Sequence, residues 1–164
     1  MSVTLNTSHG KIKLELFCEL VPLACKNFLA LCGNETYNNT KFLRNIPGFI
    51  IQGGDPENTG KGGVSIYGKH FKDEFFPQLK HDRRGIVSMA NSGPNTNNTQ
   101  FFITYAKQSH LNNVFTVFGK VIDGFEGLDL MEKEPTDGND KPLNEIVLYN
   151  VTIHSNPIAE NEQI

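Results

Sequence analysis

The chain has 164 residues, enough for one domain with a sizeable core, and a domain of this size buries roughly 70% of its unfolded surface. Fifteen basic and 18 acidic residues give a formal net charge of −3, and the scattered basic residues argue against a nucleic-acid-binding face. No apolar run approaches the roughly 20 residues that a membrane helix needs. We therefore expect no direct nucleic-acid contact and no membrane contact.

The first residues lack the basic and apolar segments of a secretory signal, so we expect an intracellular protein, cytoplasmic and/or nuclear. Its three cysteines, Cys18, Cys25 and Cys32, are then expected to be reduced thiols. Cys25 and Cys32 are seven residues apart on a predicted helix, which places them on one face. Cysteine packs there as a small hydrophobic residue.

Two strands and a helix are predicted at the start of the chain. Residues 3–5 and 11–17 alternate between apolar and polar side chains, with Gly10 at the turn between them, which is typical of half-buried antiparallel strands. Pro22 opens a helical pattern that ends at Gly33-Asn34. We expect this helix to cap an open end of a sheet or barrel.

Residues 42–55 are predicted to form a β-hairpin, because two apolar runs flank a Pro-Gly turn. Arg44 and Gln52 lie in these runs, where such side chains are costly to bury unless they face a polar or functional cleft. A two-residue loop would place Arg44 opposite Ile51. We favour a three-residue loop, which places Arg44 opposite Gln52 on one face and leaves Phe49 at the tip. The alternative is that Arg44 is an edge-strand charge that reaches water.

Two segments after the hairpin could carry ligand chemistry. Residues 53–68 are rich in glycine, but their spacing matches neither a phosphate loop nor a dinucleotide-binding motif. We expect these glycines to allow close backbone approach to a ligand or a positive φ. Asp73 and Glu74 could form a catalytic carboxylate pair, but adjacent residues of an extended chain point to opposite sides, which favours a solvated loop.

The remainder predicts further strands and one more helix. Residues 91–99 form a long loop whose Asn, Ser and Thr side chains can hydrogen-bond its own backbone, so it is a candidate recognition edge rather than an ordinary connection. The expected strands are 85–90, 100–104, 115–121 and 145–154, and the expected helix is 124–133. We expect one domain at 1–157 and a polar tail at 158–164. The five histidines lack metal-ligand spacing and no Cys-x-x-Cys occurs, so no metal site is expected.

Together, the hairpin and the 91–99 loop resemble the cyclophilin family of peptidyl-prolyl cis–trans isomerases. The resemblance implies a mainly β fold, a closed eight-stranded antiparallel β-barrel capped by two α-helices, in agreement with the elements predicted above. The chain looks most like the short single-domain isomerase-like-three group, which is associated with the spliceosome. The matching runs, in order over nearly the whole chain, are Phe42-x-Arg44-x-Ile46-Pro47-Gly48-Phe49, Gln52-Gly53-Gly54-Asp55, Gly60-x-Gly62-Gly63-x-Ser65-Ile66-Tyr67-Gly68, Ser88-Met89-Ala90-Asn91, Gly93-Pro94-Asn95-Thr96-Asn97, Gln100-Phe101-Phe102-Ile103 and Val117-Phe118-Gly119-Lys120-Val121.

This resemblance implies an enzyme that rotates X–Pro peptide bonds, a rotamase of the protein-folding and chaperone kind, without a metal or cofactor. It implies three catalytic residues: Arg44 aims its guanidinium at the amide nitrogen, Gln52 holds that guanidinium or the substrate carbonyl, and Phe49 lies beside them. Main-chain groups of Asn91 would pair with the residues before the proline. The implied substrate-binding residues are Ile50, Gly60, Ala90, Asn91, Ser92, Gln100, Phe102, His110, Leu111 and Phe115.

Several positions depart from the best-known pattern of the family: Leu43 for His, Ile50 for Met, Ser92 for Ala, Asn98 for Gly, His110 for Trp and Phe115 for His. The missing indole N–H at position 110 should weaken cyclosporin binding. Phe115 removes a polar group from the pocket edge but keeps an aromatic wall.

Two functional hypotheses follow. In the first, the chain is an active isomerase of proline-containing peptides and proteins, expected to be a monomer. In the second, it is a proline-peptide binding module with weak catalysis in a spliceosomal assembly, with spliceosomal proteins as partners. Retention of Arg44, Phe49 and Gln52 favours the first hypothesis, while His110 and Phe115 leave room for the second.

Overall fold

The computed structural model describes residues 1–155; the predicted tail at 158–164 and the domain boundary after residue 157 lie outside the described residues. A short 3-10 helix spans Ser109–Leu111, and the two α-helices are α1 (Pro22–Gly33) and α2 (Phe125–Glu132). The strands are β1 (Ser2–Thr7), β2 (Gly10–Leu16), β3 (Thr40–Lys41), β4 (Arg44–Ile46), β5 (Ile50–Gly53), β6 (Ile86–Met89), β7 (Phe101–Thr104), β8 (Val117–Asp123) and β9 (Val147–Ser155).

Within the described residues, all strands belong to one antiparallel sheet with the order β3-β9-β1-β2-β8-β6-β7-β5-β4. The prediction of a mainly β fold with two α-helices is confirmed. The family resemblance implied eight strands, whereas this sheet has nine, because residues 40–46 supply two short strands at opposite ends of the strand order. Only Phe42 and Leu43 separate these strands along the chain, so the sheet curls until its two ends approach each other.

Alternate residues of each strand face the inside of the curled sheet and form its core. In β2 these are Ile12, Leu14 and Leu16, as the alternation predicts. From α1, Phe28 packs its ring 5.4 Å from that of Phe101 and 5.1 Å from that of Phe118. Helix α1 therefore covers this core with an apolar face.

The three cysteines are unpaired thiols in the structure, and Cys25 and Cys32 are buried, as expected for one face of α1. Cys18 differs from both because it is only half-buried. A hydrogen bond from the Cys25 thiol lowers the pKa of Cys18 to about 7. The same hydrogen bond, together with burial, raises the pKa of Cys25, so this pair holds one reactive and one inert sulfur.

Asp73 and Glu74 do not form a catalytic pair, and both have structural partners. The Glu74 carboxylate accepts hydrogen bonds from the N–H groups of Leu23 and Ala24, at 3.2 and 2.9 Å. It thereby satisfies donors in the first turn of α1, where no side chain of the preceding residue caps the helix. Asp73 accepts hydrogen bonds from the N–H of Asn95 and holds the 91–99 loop.

No helix within residues 1–155 is both long and apolar enough to cross a membrane. The same residues contain no group of three His, Cys, Asp or Glu side chains that could hold a metal ion.

Candidate active site

The hairpin has the three-residue loop that the sequence favoured. Strands β4 and β5 pair Arg44 with Gln52 and Ile46 with Ile50, which leaves Phe49 in the loop. This confirms the predicted register. Arg44 is exposed on an edge strand, as the alternative interpretation also expects, so its surroundings must decide its role.

Those surroundings form a row of side chains across four neighbouring strands. Gln52 is paired with Phe102 of β7, and Phe102 with Ser88 of β6, so the row runs Arg44, Gln52, Phe102, Ser88. Their strand neighbours, such as Ile51 and Ile103, point to the opposite face and are fully buried in the core. The outer face of this half of the sheet therefore carries the row, in keeping with the period of two.

A small apolar cluster lies on this outer face, separate from the main core. It contains the buried residues Ile50, Ala90, Phe102 and Leu111, against which Phe49 and Phe115 pack. All six are among the residues that the family resemblance implied. Their separation from the core indicates a surface pocket with an apolar lining rather than an extension of the interior.

Aromatic rings define the walls of this cluster. Phe115 meets Phe102 edge to face, with ring centroids 5.3 Å apart and planes at 87°. His110 is exposed and stacks on Phe49, with ring centroids 5.8 Å apart and planes at 21°. The 3-10 helix supplies both His110 and Leu111 and thus closes one side of the pocket.

Behind the pocket lies His81, a residue that sequence reasoning missed. Its side chain is fully buried, with Nδ1 3.1 Å from Asn112 Oδ1 and Nε2 3.1 Å from Ser88 Oγ. Burial is the main cause that lowers the pKa of His81, so the ring is held neutral. Nothing in the spacing of the histidines identifies it, because its partners come from distant parts of the chain.

Gln52 and Gln100 form the polar side of the site. Gln52 Nε2 donates to Gln100 Oε1 at 3.2 Å, and Gln100 Nε2 donates to the carbonyl of Gly62 at 3.0 Å. This chain of amides orients the Gln52 side chain. The Arg44 guanidinium makes no hydrogen bond or ion pair with any residue of 1–155, so the implied contact between Gln52 and the guanidinium is not present.

Asp55 organises the glycine-rich loop beside these amides. Its carboxylate is almost fully buried and accepts hydrogen bonds from the N–H groups of Glu57, Thr59, Gly60 and Gly62 and from the Thr59 hydroxyl. Burial alone would raise the pKa of Asp55, but these hydrogen bonds lower it below its usual value. Gly60 has φ +84°, a conformation that favours glycine, so the predicted positive φ is confirmed at this position.

The 91–99 loop is tied to itself, as its composition predicts. Asn91 Oδ1 accepts from the N–H of Gly93, and the Thr96 hydroxyl accepts from the N–H of Ser92 and donates to the carbonyl of Gly93. The main-chain N–H and C=O of Asn91 make no hydrogen bond within residues 1–155, so they are available to an added strand. Ser92 is exposed and belongs neither to the apolar cluster nor to the amide chain.

Two side chains fix the tip of the hairpin that carries Phe49. Glu132 of α2 accepts a hydrogen bond from the N–H of Gly48 at 2.7 Å, and Gln108 donates to the carbonyl of Gly48 at 2.9 Å. Arg84 in turn donates to Glu132 at 2.7 Å. The outer face is therefore a preorganised site, in which a small apolar cluster lies between an exposed guanidinium and a stiff loop.

Comparison with known families agrees with this geometry. The family model described as cyclophilin type peptidyl-prolyl cis-trans isomerase/CLD matches residues 2–153. Two proteins named peptidyl-prolyl cis-trans isomerase-like 3 are similar over most of their length. The one from Dictyostelium discoideum is 68% identical over 97% of this chain and 99% of its own. The one from Homo sapiens is 58% identical over 98% of this chain and 100% of its own.

A solved structure has the same architecture. It is a cyclophilin-type peptidyl-prolyl cis-trans isomerase from Cryptosporidium parvum, determined in the presence of the dipeptide Ala-Pro. Its TM-score is 0.93 and its sequence is 55% identical, over 95% of this chain and 100% of that one.

Proposed function

Because the chain belongs to the cyclophilin-type peptidyl-prolyl cis–trans isomerase family, we propose that its outer sheet face around Arg44 is where X–Pro peptide bonds rotate. The activity is that of the family, EC 5.2.1.8. The observation that carries the assignment of residues is the pairing of Arg44 with Gln52 next to the isolated apolar cluster.

The reaction asks for little chemistry. Amide resonance opposes rotation with a barrier of about 20 kcal/mol. No bond is broken and no proton has to be transferred, so a catalyst needs only to bind the twisted amide better than the planar one. In the twisted state the proline nitrogen becomes pyramidal and basic, and it can then accept a hydrogen bond.

Arg44 supplies that hydrogen bond. Its guanidinium is exposed, has no partner among residues 1–155 and stays charged at every physiological pH. Gln52, oriented by Gln100, offers an amide to the substrate carbonyl. A donor that interacts with the twisted amide more strongly than with the planar one lowers the barrier rather than merely binding substrate.

The proline ring enters the cluster of Ile50, Phe102 and Leu111, with Phe49 and Phe115 at its rim. The residues before the proline pair with the free main-chain groups of Asn91, as a short added strand. Anchored on both sides of the bond, the peptide can rotate only about the amide itself. The buried core beneath keeps these groups in place.

Replacing Arg44 tests this mechanism. For Arg44→Ala we expect kcat/KM on a proline tetrapeptide to fall roughly 10²- to 10³-fold, as when one oriented donor to a transition state is removed. Arg44→Lys should recover little, because a lysine cannot reproduce the fork of donors. The matched control is Arg83→Ala, since Arg83 is exposed and its guanidinium pairs, among residues 1–155, only with its neighbour Asp82. Equal rates for Arg44→Ala and the unmodified protein would rule the mechanism out.

The sheet can be described as a closed eight-stranded barrel if residues 40–46, which supply β3 and β4, are counted as one strand that joins the two ends of the sheet. In support, the N–H of Phe42 donates to the carbonyl of Ile146 on one side, while Arg44 pairs with Gln52 on the other. The backbone of Arg44 would then belong to the strand that completes the barrel, where its pairing with Gln52 holds it in place.

Cyclosporin should bind this site weakly. The exposed imidazole of His110 stacks on Phe49, where the best-known family members have a larger indole with an N–H donor. Titration of the protein with cyclosporin, beside a His110→Trp variant, tests this: the variant should bind more tightly.

Spliceosomal proteins are the partners that the likeness to the isomerase-like 3 group favours, with the protein in the cytoplasm and/or nucleus. The three unpaired thiols suit a reducing compartment. Affinity capture from nuclear extract, with Arg44→Ala and Phe102→Ala variants as controls for the proline site, tests this partnership. Recovery of spliceosomal proteins by the unmodified protein alone is the expected result.

A further inference from the structure

A second concave region adjoins the site on the side of Arg44. This cavity has a volume of about 300 Å³ and is lined in part by Arg44, Gln52, Gly60 and Gln100, which also belong to the proposed site. None of the six residues of the apolar cluster lines it. The cavity is therefore continuous with the site but distinct from the proline pocket.

Three of the four charged residues in the lining of the cavity are cationic. Besides Arg44, it contains Lys41 from β3 and Lys141 from the loop before β9. Its one acidic residue, Asp55, is only 1% exposed and accepts hydrogen bonds from the surrounding loop, so its negative charge is already compensated. Asn58 and Asn139 add amide groups. The chain carries a net charge of −3, yet this surface presents three positive groups together.

The carboxylates near these cations neutralise them only weakly. Lys41 Nζ lies 2.8 Å from Glu145 Oε1, but the two side chains are 36% and 63% exposed, and ion pairs this open to solvent contribute little. Asp137 lies in the turn before Lys141, where its carboxylate accepts the N–H groups of Asn139 and Lys141. Arg44 has no ion-pair partner among residues 1–155.

We propose that this cavity binds an anionic side chain of the substrate, a carboxylate or a phosphate ester, that lies within a few residues of the proline. The inference rests on the proposed function, because the peptide must already occupy the site. Successive residues of an extended chain are about 3.3 Å apart, so a residue flanking the proline reaches past Arg44 into the cavity. Its charge is held between Lys41 and Lys141, and the enzyme then prefers acidic or phosphorylated proline segments.

Matched peptides test this preference. In each peptide, one of the positions near the proline, before or after it, carries glutamate or phosphoserine, and the reference peptide carries glutamine or serine there. We expect one position at which the anionic peptide has a kcat/KM roughly twofold to fivefold above its neutral reference, the upper part of the range for one exposed ion pair. The advantage should shrink between low salt and about 0.5 M NaCl, because exposed charges are screened.

In the double variant Lys41→Gln/Lys141→Gln, the ratio of kcat/KM for the anionic peptide to that for the neutral peptide should fall to about one. The control is Lys11→Gln/Lys26→Gln, which removes the same charge from two exposed lysines that line no part of the cavity and should retain the ratio. Circular dichroism confirms that both variants are folded. Comparison of glutamate with phosphoserine shows which anion the cavity accepts better.

The measurements separate two kinds of failure. Turnover of the neutral peptides, and its loss in Arg44→Ala, reports on the proposed mechanism alone. The ratio of anionic to neutral peptides reports on the cavity, and fluorescence polarisation with the same peptides gives that ratio as affinities if turnover is too slow to measure. A ratio near one at every position, or an equal loss in the control variant, overturns the inference.

Discussion

Phe102 and His81 lie face to face, with ring centroids 5.8 Å apart and ring planes within 17° of parallel. Phe102 forms the floor of the proposed proline pocket, and His81 supports it from behind. Because His81 is also held between Asn112 and Ser88, the floor of the pocket rests on a polar network rather than on apolar packing alone. This arrangement links the site to the protonation of a buried histidine.

The burial of His81 predicts how stability depends on pH. Its pKa is lowered in the folded protein, so below about pH 6.5 the unfolded chain binds a proton that the folded chain refuses. The contribution of His81 is fully present above pH 6.5 and is lost as the pH falls toward the folded-state pKa, at up to about 1.4 kcal/mol per pH unit. Urea unfolding between pH 8 and pH 5 measures it. A His81→Phe variant should show a shallower slope, and identical slopes would contradict the assignment.

Leu111 distinguishes packing in the pocket from packing in the core. Leu111→Ala and Leu128→Ala each remove a buried leucine, and each should lower the free energy of unfolding, by roughly 2–5 kcal/mol for a well-packed site. Only Leu111 touches the proposed proline pocket. We expect kcat/KM on a proline peptide to fall about tenfold or more for Leu111→Ala alone. Similar kcat/KM values for the two variants would show that the cluster is not the binding pocket.

Glu74 should stabilise α1 by direct hydrogen bonds, although it lies about 50 residues further along the chain. Glu74→Ala removes the acceptor for the N–H groups of Leu23 and Ala24 and should cost about 0.5–2 kcal/mol of unfolding free energy, the usual range for a helix cap. Glu19→Ala, at an exposed position just before the helix, serves as the control for loss of charge. If both variants unfold at the same urea concentration, the contact contributes nothing measurable.

Cys18 should be the reactive thiol of the described chain. Its lowered pKa of about 7 makes it substantially a thiolate at neutral pH, whereas burial raises the pKa of Cys32 and keeps it protonated. Mass spectrometry after brief exposure to iodoacetamide should find a label on Cys18, with a rate that rises to half its maximum near pH 7. Equal labelling of Cys32 in the folded protein would contradict this.

The sequence predicted the part of the site in which unusual polar side chains lie on strands with a clear period of two. Arg44 and Gln52 stand out within apolar runs, and the period of two then allows only one register that pairs them. The apolar wall of the site was harder to predict, because Leu111 belongs to a 3-10 helix and Phe115 to a loop, and neither shows a periodic pattern. Only the family resemblance indicated these two residues. Strand β3 was missed, since two residues are too few to show a period.

Glu74 and His81 show the other limit of sequence reasoning. Each takes its role from partners far along the chain: Glu74 from Leu23 and Ala24, and His81 from Asn112. Local patterns of polarity cannot identify such partners. Asp73 and Glu74 do lie in a loop, as expected, but the loop is only partly solvated, because tertiary contacts use both carboxylates.

The topology of the sheet also constrains how this protein is made. Strand β1 lies between β2 and β9, and among the described strands β3 pairs only with β9, so strands that leave the ribosome early must wait for a strand that is synthesised much later. Until β9 arrives, one edge of β1 is unpaired and open to association with other chains. An isomerase that accelerates slow folding steps of other proteins thus has a slow step of its own, the pairing of β1 with β9.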